Sequence, residues 1–157
     1  MQEREVKILE VNVAAVKKEL ERLGAQCVFD GVMDVATYDF PDRRLEKDGC
    51  SFRLRSRGAG GELTLKKIIE NKRIKIAEET EVAISDIDQM KTILQALKLR
   101  EIKHYQKHRA SYQLMNIHFE FDTLPGIPTF LEIEGSSEEE IFVWVRKLGF
   151  SEDEAKP

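Results

Sequence analysis

FRLRSRGAGGELTLK, residues 52–66, alternates apolar and polar side chains on both sides of a glycine-rich break. Successive side chains of a strand point to opposite faces. Arg53, Arg55 and Arg57 therefore share one face while Phe52 and Leu54 take the other. Beyond Gly58-Ala59-Gly60-Gly61, whose composition marks a turn, Thr64 and Lys66 stand against Leu63 and Leu65 in the same way. Each strand has one greasy side and one ionic side, and the fold must place both.

The same period-two reading extends over most of the chain and predicts strands at 2–10, 28–40, 50–57, 62–70, 72–84, 102–115, 116–123 and 129–134. Pro41-Asp42, Asn71, Met115-Asn116 and Pro125-Gly126 with Pro128 are the other turn signals. Three segments instead repeat their apolar residues at three and four. One follows Asn12 with Val13, Val16, Leu20 and Leu23 in line and Gly24 as a stop; one follows Ser85-Asp86 with Ile87, Met90, Leu94 and Leu97; one begins at Ser136-Ser137, has Glu139 and Glu140 at capping positions, and ends at Leu148-Gly149. Eight strands and three helices make an α+β pattern dominated by antiparallel pairing.

A chain of 157 residues with 41% apolar content is read as a single domain with a real core. Its 25 Lys and Arg against 29 Asp and Glu give a net charge of -4, which argues against nucleic-acid binding driven by a positive field. Cys27 and Cys50 lack zinc-site spacing and are too few for a disulfide framework, so they read as inert thiols in a reducing cytosol. No apolar run approaches the ~20 residues that span a bilayer, and the N-terminus has no apolar leader. The expectation is a soluble, cytoplasmic protein.

Ionic faces recur on seven strands. Glu3, Glu5 and Lys7 share one; Arg53, Arg55 and Arg57 the next; then Thr64 with Lys66, Glu79 with Glu81, Lys107 with Arg109, Glu120 with Asp122, and Glu132 with Glu134. On any single strand this is what a solvated antiparallel sheet shows. Taken together, the faces are nearly all full charges and mostly of one sign per strand. Like charges two residues apart sit ~7 Å from one another, which is unfavourable unless opposite charge lies between or across. A polyphosphate carrying a divalent metal brings both signs: arginine forks and lysines suit phosphate, and carboxylates suit Mg²⁺ or Mn²⁺. There is no Walker-type loop, and His104, His108 and His118 are scattered.

EREVK (3–7) resembles the ExExK signature of the CYTH superfamily, the triphosphate tunnel metalloenzymes, which includes thiamine and inorganic triphosphatases and CyaB-type adenylyl cyclases. Six later segments resemble the family's motifs in the same order: YDFPDRRLEKDGCSFRLRSR, LTLKK, EETEV, QKHR, FEFD and FLEIE, so that residues 1 to about 150 are covered in one register. The resemblance implies an eight-stranded antiparallel β-barrel, its charged faces turned into a tunnel and its helices packed outside. It implies that Glu3, Glu5, Asp122, Glu132 and Glu134 bind metal and that Lys7, Arg53, Arg55, Lys66, Lys107 and Arg109 bind phosphate; Glu79 and Glu81 match further acidic positions that bind or orient metal, and one of them, or a second metal, would position water. Glu120 faces the same way without an implied role.

The activity so implied is metal-dependent hydrolysis of a small triphosphate-containing substrate with Mg²⁺ or Mn²⁺. Cyclic AMP formation from ATP and non-catalytic polyphosphate or nucleotide binding are the alternatives. The protein is expected as a monomer or homodimer. Three features depart from the family pattern: Ala77 replaces a basic residue although Arg73 and Lys75 are taken to share its face, PGIPTFLEIE replaces the usual lead-in to the last strand, and the His-Phe pair of cyclase members is absent before Glu3.

Overall fold

The computed structural model describes residues 2–57 and 60–157; Met1, the Gly58-Ala59 part of the expected turn, and the side chains of Arg57, Glu70 and Asn71 lie outside the described residues. In chain order the elements are β1 (Gln2–Ile8), α1 (Val13–Arg22), β2 (Gln26–Asp39), α2 (Arg44–Lys47), β3 (Cys50–Arg57), β4 (Gly60–Asn71), β5 (Lys75–Ile84), α3 (Ile87–Ala96), β6 (Arg100–Leu114), β7 (Ile117–Leu124), β8 (Ile127–Glu134) and α4 (Glu138–Lys147). A 3-10 turn (Glu152–Glu154) and a short β9 (Ala155–Lys156) close the chain. All eight expected strands and all three expected helices are present, and α2, the 3-10 turn and β9 are additions.

The strands hydrogen-bond in the order β5-β4-β3-β2-β6-β7-β8-β1, and β5 pairs again with β1. That order closes on itself, so the fold is an eight-stranded antiparallel β-barrel of α+β class, with β9 added alongside β1 through Lys7↔Lys156 and Ile8↔Ala155. Registers follow the parity of the sequence. Arg53 faces Thr64, Leu54 faces Leu63, and Phe121 faces Leu131, so like mostly meets like, with Val35 opposite Arg55 and Phe130 opposite Asp122 as exceptions. A slip by one residue would invert every face.

The helices start where capping chemistry permits. Asn12, Asp86 and Ser137 each accept from the backbone N–H three residues on, at 3.1, 2.9 and 3.2 Å, which satisfies one orphan donor per helix. Gly24 and Gly149, at φ 92° and 87°, end α1 and α4 in the left-handed conformation that glycine tolerates. At the end of α3 that position is held by Lys98 at φ 68°. Leu97, expected on the buried stripe of α3, is its C-cap and is exposed.

Two compact units divide the chain, and each has its own core. The first comprises Val32–Ile69 with Ala77–Gln106. Its core is Ala36, Tyr38, Leu54, Leu94 and Leu99, flanked by Phe52, Leu63, Ile84 and Met90. The second comprises Gln2–Gly31, Glu70–Ile76 and Lys107–Pro157. There Val6, Ile8, Phe119, Phe121, Leu131 and Ile133 from the strands pack with Val16 and Leu20 of α1 and Ile141, Phe142 and Val145 of α4. Each such side chain contributes about 1.5–3 kcal/mol on burial. Phe142 is core, and Trp144 meets Phe119 edge-on at 5.4 Å. Among the described residues no helix is long and apolar enough to cross a membrane, and Cys27 and Cys50 are free thiols.

Candidate functional site

With most of the apolar strand residues committed to the two cores, the ionic residues fall on the opposite faces, where Val35 is buried opposite Arg55. In the first unit they come from β3, β4 and β5. Thr64 and Lys66 are buried, the former fully and the latter to 6% exposure. Arg53 Nη2 reaches Glu79 at 3.1 Å, and Lys66 Nζ lies 3.5 Å from the same carboxylate. Arg55 pairs with Glu81, lies 3.6 Å from Glu62, and donates to Thr64 Oγ1 at 2.9 Å. Thr64 in turn donates to Glu81 at 2.9 Å. The structure thus brings together Arg53, Arg55, Lys66, Glu79 and Glu81. The Nε atoms of Arg53 and Arg55 are buried and have no hydrogen-bond acceptor among the described residues. Two buried guanidinium donors without acceptors are costly, and an anion is the natural group to supply what they lack.

In the second unit Arg109 is the hub. Its Nε donates to Asp122 at 2.7 Å, its Nη2 to Asp122 at 2.5 Å and to Glu132 at 3.0 Å, and its Nη1 meets Glu120. Lys107 Nζ donates to Asp122 at 2.7 Å, and Lys7 Nζ stands 3.0 Å from Glu132. Lys75 pairs with Glu5. Burial alone would raise the Glu132 carboxyl, but Arg109, Lys7 and Lys107 outweigh it and hold its pKa down to about 2. For Arg109 burial pulls the other way, and Asp122, Glu120 and Glu132 overcome it, raising the pKa above its ordinary value. Burial, then the charge of Arg109, lowers the Lys107 ammonium against the pull of Asp122.

These pairs modify the expectation that a ligand of both signs is what relieves the like-charge rows. Among the described residues many acids and bases within each unit already pair with one another, because the strand order sets β4 between β3 and acidic β5, and basic β6 beside acidic β7. A ligand here would exchange with internal ion pairs and would not fill a charge vacuum. Arg73 also departs from expectation: it lies before β5 begins, stacks on Phe142 and binds Glu138 and Glu152 at 2.5 Å each.

The candidate metal ligands share one donor chemistry. Glu3, Glu5, Asp122, Glu132 and Glu134 all offer hard carboxylate oxygen, and Glu5 lies directly opposite Glu134 in the β1–β8 ladder. Such a like-charge pair suits a cation between. Among the described residues no three acidic, His or Cys side chains already form a metal cage. Magnesium does not require one, since it is held by one or two carboxylates together with water and substrate phosphate. The residues present fit that mode.

Sequence reading did not assign Glu62, Thr64, Lys75, Ser111 or Glu120 to a site. Thr64 bridges Arg55 and Glu81, and Ser111 Oγ lies 3.4 Å from Glu120. Strand parity marked all five, since each shares the face of an assigned residue, but parity alone does not say which neighbour it meets.

The chain matches the CYTH domain family model over residues 1–154. It is 27% identical over 136 residues to "Putative adenylate cyclase MJ0240" of Methanocaldococcus jannaschii, covering 87% of this chain and 78% of that protein. Among solved structures it resembles one described as a putative adenylate cyclase from Vibrio parahaemolyticus, at TM-score 0.86 and 20% identity over 99% of this chain and 94% of that one. It also resembles HpAC1 from Hippeastrum, described as a putative adenylyl cyclase with a dominant triphosphatase activity, at TM-score 0.73 and 15% identity over 98% and 90% of the two chains. The match of the family model across nearly the whole length, on the strand order and ionic parity described above, places this protein in the CYTH domain family.

Proposed function

We propose that this protein is a divalent-metal-dependent hydrolase of triphosphate-containing substrates. One observation carries the reading: Arg53 and Arg55 present buried Nε donors without acceptors beside buried Lys66 and Thr64. That is a binding surface for phosphate oxygens. The dominant triphosphatase activity ascribed to HpAC1, a relative in fold, supports hydrolysis over cyclisation.

In this reading Lys7, Arg53, Arg55, Lys66, Lys107 and Arg109 bind phosphate. Glu3, Glu5, Asp122, Glu132 and Glu134 would hold Mg²⁺ or Mn²⁺, which when bound neutralises charge developing on phosphate oxygens. Glu79 and Glu81 orient water for in-line attack on the terminal phosphorus. They are suited to it because Arg53, Lys66, Arg55 and Thr64 hold them in place. Preorganised charge does most of the work, as in phosphoryl transfer generally.

Purified protein incubated with tripolyphosphate, thiamine triphosphate and ATP, with Mg²⁺ or Mn²⁺, should release orthophosphate. Pyrophosphate with cyclic AMP from ATP would instead establish cyclisation, the activity for which the archaeal relative is named. Saturable binding without any product would make the domain a binder. Glu134→Gln should lower metal-dependent turnover by about two orders of magnitude, and an undiminished rate would remove Glu134 from the metal site.

A further inference from the structure

β1 lies between β8 and β5 in the hydrogen-bonded order, so Glu5 has a neighbouring strand on each side. On the β8 side its register partner is Glu134, a second carboxylate. On the β5 side Lys75 reaches across and pairs with it. Glu5 is buried to 7% exposure and the Lys75 side chain to 21%, so this pair is shielded from bulk water and from the screening that makes surface pairs weak. On the face that β5 shares with Glu79 and Glu81, Ala77 carries no charge and Lys75 is the basic residue.

We propose that Lys75 is a resident counter-cation: its ammonium occupies Glu5 in the metal-free protein and is displaced when a divalent ion binds, so that Lys75 sets the metal affinity of the site. This rests on the reading of Glu5 as a metal ligand. The other cations differ from Lys75 in how firmly they are held. Arg109 bonds three carboxylates through a rigid fork and is built to stay. A lysine is a point charge on a flexible stem, readily hydrated once released. The resident cation relieves the opposed Glu5 and Glu134 in the absence of metal, and an incoming ion must compete with it. Lys75 is therefore a positioning residue that acts through Glu5.

Mn²⁺ binding to the whole chain, without substrate, measured by calorimetry and by electron paramagnetic resonance of the free ion, tests this. Lys75→Met removes the competing charge at nearly constant length and should tighten Mn²⁺ binding by about tenfold or more. Lys75→Arg keeps the charge on a more firmly held fork and should bind Mn²⁺ no more tightly than the wild type, a split from the neutral variants that a merely structural role for Lys75 does not predict. Lys75→Gln carries the same expectation as Lys75→Met and serves if that variant fails to fold by circular dichroism. Unchanged or weakened Mn²⁺ binding in the neutral variants, with the wild type binding normally, overturns the proposal alone. A wild type that binds no Mn²⁺ overturns the metal-site reading and this proposal with it.

Discussion

Asp39 shows how a single side chain can hold a corner. It is 1% exposed and accepts from the backbone N–H groups of Phe40, Leu45 and Glu46 at 2.7, 3.1 and 3.0 Å, capping α2 from outside that helix. Burial alone would raise its pKa, but the three donors outweigh it and hold the carboxyl below the usual range. Its folded-state pKa is depressed, so its contribution is complete above the unfolded carboxyl value near about 4 and is lost as pH falls through the folded value. Asp39→Ala should cost about 1–2 kcal/mol at neutral pH, and the gap to wild type in denaturant melts should shrink in acid. A gap independent of pH would mean that the charge is not what matters. Arg55 makes the same point about the site. Arg55→Lys keeps a charge and loses the fork, and should raise KM for tripolyphosphate about tenfold; an unmoved KM would take Arg55 out of substrate binding. Residues such as Arg55 were legible because parity aligned them with Arg53. The Leu45 and Glu46 donors around Asp39 were not, since they come from a four-residue helix too short to leave a periodic signal.

At the scale of elements, the three longer helices were legible at their starts because Asn12, Asp86 and Ser137 are capping types set before apolar periodicity. Their exits differ. Where α1 and α4 have Gly24 and Gly149, α3 has Lys98 in the left-handed region at φ 68°. Lys98→Gly relieves that strain and should stabilise the protein by about 1 kcal/mol, read as a higher midpoint in urea; a lower midpoint would show that the Lys98 side chain stabilises more than its backbone costs. Gly61 is the reverse case. A Cβ there would run into the Arg55 carbonyl on the neighbouring strand, so Gly61→Ala should destabilise β3–β4 and, by shifting Arg55, weaken substrate binding together with stability. Strand existence was read well from alternation. Strand ends were not: β4 and β6 run past their expected limits because pairing with neighbours, which no single segment encodes, decides where a strand stops.

For the molecule as a whole, period two fixed which residues share a face but not which face is apolar core and which is site. Only the resemblance supplied that choice, and the two hydrophobic clusters now account for it. What no local pattern contained was the pairing of acids with bases across strands, since it depends on the order β5-β4-β3-β2-β6-β7-β8-β1. If the site binds as proposed, Mg-tripolyphosphate at about 100 times its Kd should stabilise the fold by about 2.7 kcal/mol in a thermal-shift assay; an unshifted melting curve at saturating ligand would leave the ionic faces without a ligand of this class.

The circular strand order also bears on aggregation. A sheet that ends offers unpaired amides and carbonyls as a template for a stranger's backbone, and proteins with such rims protect them with charges, bulges or prolines. Here each of the eight main strands has a neighbour on both sides, so their main-chain groups face partners within the ring. Clumping should begin only after the ring has opened.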